Sequence, residues 1–303
     1  MPGGALSAAP VSFCGIELAH PVLNGSGTYD AIAALEVFGD ALLEDFPFAA
    51  FVSKTITLEP RDGNPPPRLY ETPAGLINSI GLPNKGLRGY LAQDLPRLAG
   101  LPVPLITNVM GSTVAEVAAL VEAVGAQPAV AAIELNVSCP NVKTGLDLGA
   151  DPAELGGLVA AVRPLTARPL IVKLTPNTAD VARVAQAAEA AGADAVSLIN
   201  TLRAFAPHPD GSGSPWLGAG TGGMSGPAVR AVALAQVTAV ARRVAVPIVG
   251  MGGVASGAHA RQFLDAGASL VAVGTESFRD PAAGARIRRE LREILANSDV
   301  LTA

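Results

Sequence analysis

Cysteine, histidine, aromatic side chains and charge are all scarce in this chain, and each shortage closes off a class of function. Of 303 residues only two are cysteine, Cys14 and Cys139. Two thiolates cannot hold a four-cysteine iron–sulfur cluster, and so few in so long a chain point to a reducing compartment, the cytoplasm, with at least one free thiol. The three histidines, His20, His208 and His259, show no H-x-x-H spacing, so no metal site is expected. Charged residues are only 16% of the chain and the net charge is −5. With no basic run and no aromatic–basic interleaving, nucleic acid is not an expected partner. Long hydrophobic runs are missing as well. The longest uncharged windows, Leu98–Ala115 and Gly211–Val229, are broken by Gly, Pro, Asn and Thr. Neither reads as a membrane span, and no signal peptide is evident. Aromatics make up 4% against 50% hydrophobic residues, so a large core must be built from Ala, Val, Leu and Ile.

What is present is alternation. Short apolar runs occur at Pro21–Leu23, Ala50–Ser53, Pro104–Thr107, Ala131–Leu135, Pro169–Leu174, Ala195–Ile199, Val246–Gly250 and Leu270–Val273. Ala-rich helical periods separate them, near Ala31–Glu44, Gly86–Leu98, Val114–Val124, Pro152–Arg163, Ala179–Ala191, Pro227–Arg243, Gly257–Ala266 and Pro281–Leu295. In Ala179–Ala191, Val181, Val184, Ala185 and Ala188 recur at i, i+3, i+4 and i+7, with Thr178 as N-cap and Gly192 as stop. Ala191-Gly192-Ala193-Asp194-Ala195-Val196 is echoed by Ala266-Gly267-Ala268-Ser269-Leu270-Val271: a helix end, a glycine turn and a new buried strand. Continuous apolar strands alternating with helices imply a parallel sheet covered on both faces. Eight such units predict an α/β fold closed into a (β/α)8 TIM barrel. A short hairpin over Val11–Ala19 should precede it, and long loops should follow the second, fourth and sixth strands: Thr57–Lys85, Ser138–Asp151 and Thr201–Ser225. No linker divides residues 1–303, so one domain is expected.

Function in such a cylinder sits at the carboxyl ends of the strands. Read there, the sequence gives Ser26 and Gly27, Lys54 and Thr55, Asn108, Asn136, Lys173, Asn200 and Thr201, Gly252 and Gly253, then Gly274 and Thr275. Any one of these could be a turn residue or a solvated charge; two lysines and three asparagines on one rim suggest a site. The glycines of the last two strands let backbone N–H groups approach a phosphate. Gly218-Ala219-Gly220-Thr221-Gly222-Gly223 matches G-x-G-x-x-G, but it follows Pro215-Trp216-Leu217 in a long loop and lacks a dinucleotide context. The densest signal is Glu134-Leu135-Asn136-Val137-Ser138-Cys139-Pro140-Asn141. A buried strand there delivers Asn136 to the rim and Cys139 to the loop beyond, where a thiol can move a proton and the amides can grip a small polar ring. Cys14 has no nearby base and reads as structural. A second chemistry fits the same rim: a phosphate-binding lyase or isomerase with Lys173 as Schiff base. A third reading is a non-catalytic subunit that only docks a partner.

The motifs resemble those of the dihydroorotate dehydrogenases over nearly the whole chain. The resemblance includes Lys54-Thr55, Leu58–Arg68, Glu71-Thr72-Pro73, Asn78–Leu82, Asn136–Asn141, Val172-Lys173-Leu174, Ile199-Asn200-Thr201, Gly222–Pro227 and Gly250–Gly253. It implies flavin mononucleotide (FMN) on the rim, with Gly252, Gly253, Gly274 and Thr275 at its phosphate. Ser26, Gly27, Lys54, Thr55, Asn108, Asn136, Lys173, Ile199 and Gly226 would surround its chain and ring. It places dihydroorotate, the product being orotate, against Lys54, Asn78, Gly81, Leu82, Asn136, Asn141, Asn200 and Thr201, with Cys139 as base and Lys54 and Lys173 as catalytic cations. Cysteine at position 139 distinguishes the chain from quinone-using members, which carry serine. Leu58–Arg68 resembles the NAD-linked subclass, which works as a homodimer with an FAD and iron–sulfur subunit; a fumarate-using homodimer is the alternative. Gly25 and Ala204 depart from the family's usual alanine and glycine, and Pro207–Gly218 is unusual in sequence.

Overall fold

The structure, a computed structural model, describes residues 10–138 and 148–302. Its strands run, in chain order, β1 Val11–Phe13, β2 Ile16–Leu18, β3 Val22–Asn24, β4 Phe51–Val52, β5 Leu69–Thr72, β6 Gly75–Asn78 and β7 Leu105–Val109, then β8 Val130–Asn136, β9 Leu170–Lys173, β10 Ala195–Leu198, β11 Leu202–Phe205, β12 Thr221–Ser225, β13 Ile248–Met251 and β14 Leu270–Val273. Each of the eight apolar runs supplies one strand of a single sheet, in the order β3-β14-β13-β10-β9-β8-β7-β4, with every pairing parallel. Because helices cover the outer face and side chains fill the inner one, the strand residues are buried on both sides.

The two ends of that sheet meet and close the cylinder. The Ala49 N–H donates to Val22 O at 2.9 Å. Above it the seam is made by a side chain: Asn24 Nδ2 donates to Val52 O and Asn24 Oδ1 accepts from the Val52 N–H, both at 2.8 Å. An asparagine amide carries the same donor and acceptor as a peptide group, so a fully buried Asn24 stands in for the missing ladder rung.

β1 and β2 form the expected hairpin, turning at Cys14 and Gly15, both with positive φ (50° and 78°). Its inward residues Phe13 and Leu18 join Leu23, Ile106, Ala132, Ile171, Ala195 and Leu270 in one buried cluster. These lie toward the amino ends of their strands, so the hairpin seals the floor of the barrel and leaves the carboxyl rim open. Cys14 Sγ donates to Asp194 O at 3.4 Å, and burial, then the Asp194 charge, push its thiol up to about 11. That is a tether, in keeping with its structural reading.

The helices follow the apolar periods with local adjustments. Ala31–Glu44 divides into Ala31–Phe38 and Asp40–Glu44 at Gly39 (φ 55°). Gly86–Leu98 widens into a π turn over Tyr90–Asp94 ahead of Pro96, which has no N–H to continue the ladder. The helix Val181–Ala190 is capped by Asp180, not Thr178: the carboxylate accepts the N–H groups of Ala182 and Arg183, while Thr178 donates to Ala150 O. The helix starts at Val181, the first residue of the apolar period and two residues after the expected Ala179, behind the stronger acceptor. Gly192 (φ 99°) and Gly267 (φ 105°) end their helices with matching bond pairs, Gly192 N to Glu189 O and Ala193 N to Ala188 O, then Gly267 N to Leu264 O and Ala268 N to Phe263 O.

Two of the expected long loops together contribute a second sheet. β5 and β6 arise within Thr57–Lys85, β11 and β12 within Thr201–Ser225, and they pair antiparallel in the order β11-β12-β6-β5. The pairing was hidden because β12 carries Gly222 and Gly223, which lack the side chains that make a strand legible. Gly223 is glycine for a packing reason: a Cβ there would sit 2.0 Å from Thr201 Oγ1. Because β12 is antiparallel and leads into no dinucleotide-type βα turn, the G-x-G-x-x-G match has the non-nucleotide context its sequence suggested.

Candidate active site

The rim is built by strands that switch from apolar to polar at their last residues. On β7, β8, β9 and β10 the inward positions read Ile106 then Asn108, Ala132 then Glu134 then Asn136, Ile171 then Lys173, and Ala195 then Ser197. Apolar residues thus form the lower layer and Asn108, Glu134, Asn136, Lys173 and Ser197 the upper one, all of them buried. Two features mark this layer as unfinished. Asn108 Oδ1 is buried with no hydrogen-bond partner. Lys173 is 7% exposed and, among the described residues, no ion pair or hydrogen bond engages its side chain. Leaving a buried acceptor unpaired costs about 1–3 kcal/mol. Such groups fit a bound polar ring with N–H donors and an electron-rich edge.

Around this layer the expected residues fall into three groups. Ser26 Oγ donates to Ser53 O at 2.8 Å and lies 3.3 Å from Thr55 Oγ1; Ser53 Oγ in turn accepts the Asn108 N–H at 3.0 Å. Ser26, Thr55 and Asn108 are therefore one hydrogen-bonded set, with Lys54 exposed beside Gly27. A second set gathers amides. Asn200 Nδ2 donates to Ser138 Oγ at 2.8 Å and to Asn136 Oδ1 at 3.3 Å, and Asn136 Oδ1 also accepts the Ser138 N–H. Asn78 Nδ2 reaches Gly223 O at 3.3 Å, next to Thr201.

The third set is the glycine rim. A Cβ on Gly252 would meet Ala233 Cβ at 2.7 Å and Ile199 Cγ1 at 3.2 Å; one on Gly253 would meet Gly226 O at 2.7 Å. Ile199, Gly226, Gly252 and Gly253 are thus packed together, and crowding with positive φ already explains why Gly252 and Gly253 lack side chains. Gly274 is different. A Cβ there would meet nothing closer than Thr28 Cγ2 at 3.8 Å, so its missing side chain leaves room at the rim, beside Thr275, whose Oγ1 donates to Ser225 Oγ at 2.8 Å. This opening fits a phosphate.

Some expected residues are not drawn in. Gly81 (φ 76°) and Leu82 (φ 54°) lie on a loop that leans on Asn64, and among the described residues no hydrogen bond joins either to the asparagine group. Cys139 and Asn141 lie outside the described residues. A cavity of about 820 Å³ opens from Gly27, Lys54 and Thr55 toward Tyr29, Phe38, Tyr90 and Phe278, away from the glycine rim. Sequence reading passed over Ser53, Glu134, Ser138 and Ser197. The signal for Glu134 was available: a carboxylate inside an apolar strand at the parity of Ala132 and Asn136. Among the described residues no group of three His, Cys, Asp or Glu could hold a metal, and no helix is long and apolar enough to cross a membrane.

A closed parallel cylinder with a sealed floor and a rim of amides, lysines and glycines defines a barrel enzyme of the α/β class, working at the carboxyl ends of its strands. Its sequence places it more narrowly. Residues 8–295 match the family profile described as dihydroorotate dehydrogenase. The chain is 46% identical over 291 residues to the catalytic subunit of dihydroorotate dehydrogenase B (NAD(+)) of Pelobacter propionicus, spanning 96% of this chain and 94% of that one. It is 44% identical over 294 residues to the subunit of the same name from Desulforudis audaxviator, spanning 96% and 93%. A protein of Solibacter usitatus, provisionally named dihydroorotate dehydrogenase A (fumarate), is 43% identical over 293 residues, spanning 96% and 95%. The chain belongs to the dihydroorotate dehydrogenase family.

Proposed function

We propose that this protein oxidises (S)-dihydroorotate to orotate, a step of pyrimidine synthesis, on an FMN held at the barrel rim, as a cytoplasmic enzyme of one domain. The observation that carries the reading is the polar layer of the rim, in which Asn108 Oδ1 is buried without a partner and the mostly buried Lys173, level with Asn136, has no ion pair among the described residues. FMN, when bound, supplies the acceptor for a hydride. The chain does the rest. Asn78, Asn136, Asn141 and Asn200 present donors and acceptors to a ring made of amides, with Thr201, Gly81 and Leu82 at its edge. Lys54 meets the substrate carboxylate, and Lys173 places positive charge against the cofactor ring. Gly252, Gly253, Gly274 and Thr275 present backbone N–H groups to the phosphate; Ser26, Gly27, Thr55, Ile199 and Gly226 line the remainder. Cys139 takes the proton from C5 of dihydroorotate. It follows Ser138, whose hydroxyl is already fixed by Asn200, so the chain enters the Cys139 segment from an anchored point.

A yellow preparation whose flavin spectrum bleaches on anaerobic addition of dihydroorotate is the expected result. A colourless protein that refuses FMN, or a lysine adduct trapped by borohydride, would overturn it in favour of Schiff-base chemistry at Lys173. For the oxidising half, the similarity to chains named as NAD-linked catalytic subunits supports a second polypeptide carrying FAD and an iron–sulfur cluster, on a homodimer of this chain. The 43% identity to the fumarate-named relative supports the second reading, a homodimer that needs no other subunit. Adding fumarate, NAD and a quinone separately to the reduced protein separates the two.

A further inference from the structure

The wall below the rim holds a carboxylate that the reaction above leaves without a task. Glu134 sits near the end of β8, 3% exposed, on the face that carries Ala132 and Asn136 into the cylinder. One of its oxygens accepts the Ser197 hydroxyl at 2.7 Å and the other accepts from Asn108 Nδ2 at 2.5 Å. An ionised carboxylate only accepts. It therefore fixes the Asn108 amide one way round, with Nδ2 against Glu134 and Oδ1 turned away. That Oδ1 is the buried atom with no partner. A neutral amide at position 134 could meet Asn108 with either end and would leave its orientation open; a carboxylate allows one.

We infer that Glu134 is a positioning residue that sets the polarity of the cofactor site, holding Asn108 with its carbonyl oxygen outward as the acceptor for an N–H of the flavin ring. The inference rests on the flavin reading of the rim. It also gives the buried charge an electrostatic role, because a fixed negative charge beneath the ring disfavours adding electrons to it.

The test is FMN titration of apoprotein, followed by quenching of flavin fluorescence, together with the flavin midpoint potential. Glu134→Gln keeps the shape but offers a donor. It should weaken FMN binding roughly tenfold and raise the midpoint potential, while the melting temperature of the apoprotein shows that the fold persists. The paired variant Asn108→Asp/Glu134→Gln restores the pattern in reverse. The introduced glutamine then donates through its Nε2 to one oxygen of the introduced aspartate, while its Oε1 still accepts from Ser197. The second oxygen of that aspartate again faces outward as an acceptor. Recovery of most of the lost affinity is expected. A folded Glu134→Gln with unchanged affinity and potential, or a paired variant no better than the single one, overturns the assignment. Should Glu134→Gln fail to fold, the paired variant decides alone: it binds FMN within a few-fold of wild type or the inference fails. A wild-type protein that takes up no FMN instead overturns the flavin reading, a failure visible before any variant is made.

Discussion

A thiol in water gives up its proton near pH 8.5, and a base that works as the thiolate ties the reaction to that equilibrium. With Cys139 as base, flavin reduction by dihydroorotate should speed up as pH rises from about 6.5 toward 8.5. Cys139→Ser should slow it by about 100-fold or more at neutral pH. Stopped-flow reduction measures both, and full rate in the serine variant would remove Cys139 from the mechanism. His20 makes a separate prediction about stability. Burial, followed by the Arg288 charge and opposed by Asp45, lowers its pKa from 6.5 to about 4, while its Nδ1 accepts the Val22 N–H. The folded state therefore resists a proton that the unfolded state accepts. The contribution is fully present above pH 6.5 and is lost as pH falls toward 4, amounting to on the order of 3 kcal/mol. Urea melts at pH 7.5 and pH 5 should differ more for the wild type than for His20→Gln. Residues of this kind were only partly legible. The rim asparagines and lysines announced themselves because each ends an apolar run. Ser197 did not, and Glu134 showed only as a carboxylate inside an apolar strand; their partners come from other strands, so their roles appear only on folding.

At the scale of elements, all eight barrel strands could be read because burial on both faces leaves an unbroken apolar run. The seam could not. β4 is two residues long, and its partner across the seam is the side chain of Asn24, which no periodicity records. Asn24→Ala would leave the Val52 N–H and C=O unpaired in a buried position, and a loss of about 2–4 kcal/mol is expected in urea unfolding. Asn24→Asp keeps the acceptor but sets a carboxylate against Val52 O, so it should be no less damaging at neutral pH. A change within about 0.5 kcal/mol for Asn24→Ala would show that backbone pairing alone closes the barrel. The antiparallel sheet was likewise hidden, because glycines that admit Thr201 and the Asn78 backbone erase the alternation of β12.

For the molecule as a whole, the exposed apolar side chains include two groups of interest. Leu69 (52%) and Phe205 (48%) lie on the two edge strands of the antiparallel sheet, while Phe38 (55%) and Phe278 (60%) line the large cavity. If the chain is a homodimer that pairs through its small sheet, the double variant Leu69→Glu/Phe205→Glu should elute as a monomer with flavin reduction intact. A dimer unchanged by both charges would place the contact elsewhere. The overall architecture was open to sequence reading because repetition is itself a signal; the assembly was not, because an exposed apolar residue does not say what covers it. The hairpin floor has a last consequence. With Phe13 and Leu18 covering one end of a packed barrel, only the rim admits small molecules, and in the fumarate-using reading the oxidant must wait there for orotate to depart. Initial-rate plots against dihydroorotate and a soluble oxidant such as fumarate should then give parallel lines, with each reactant inhibiting at high concentration by occupying the other's turn.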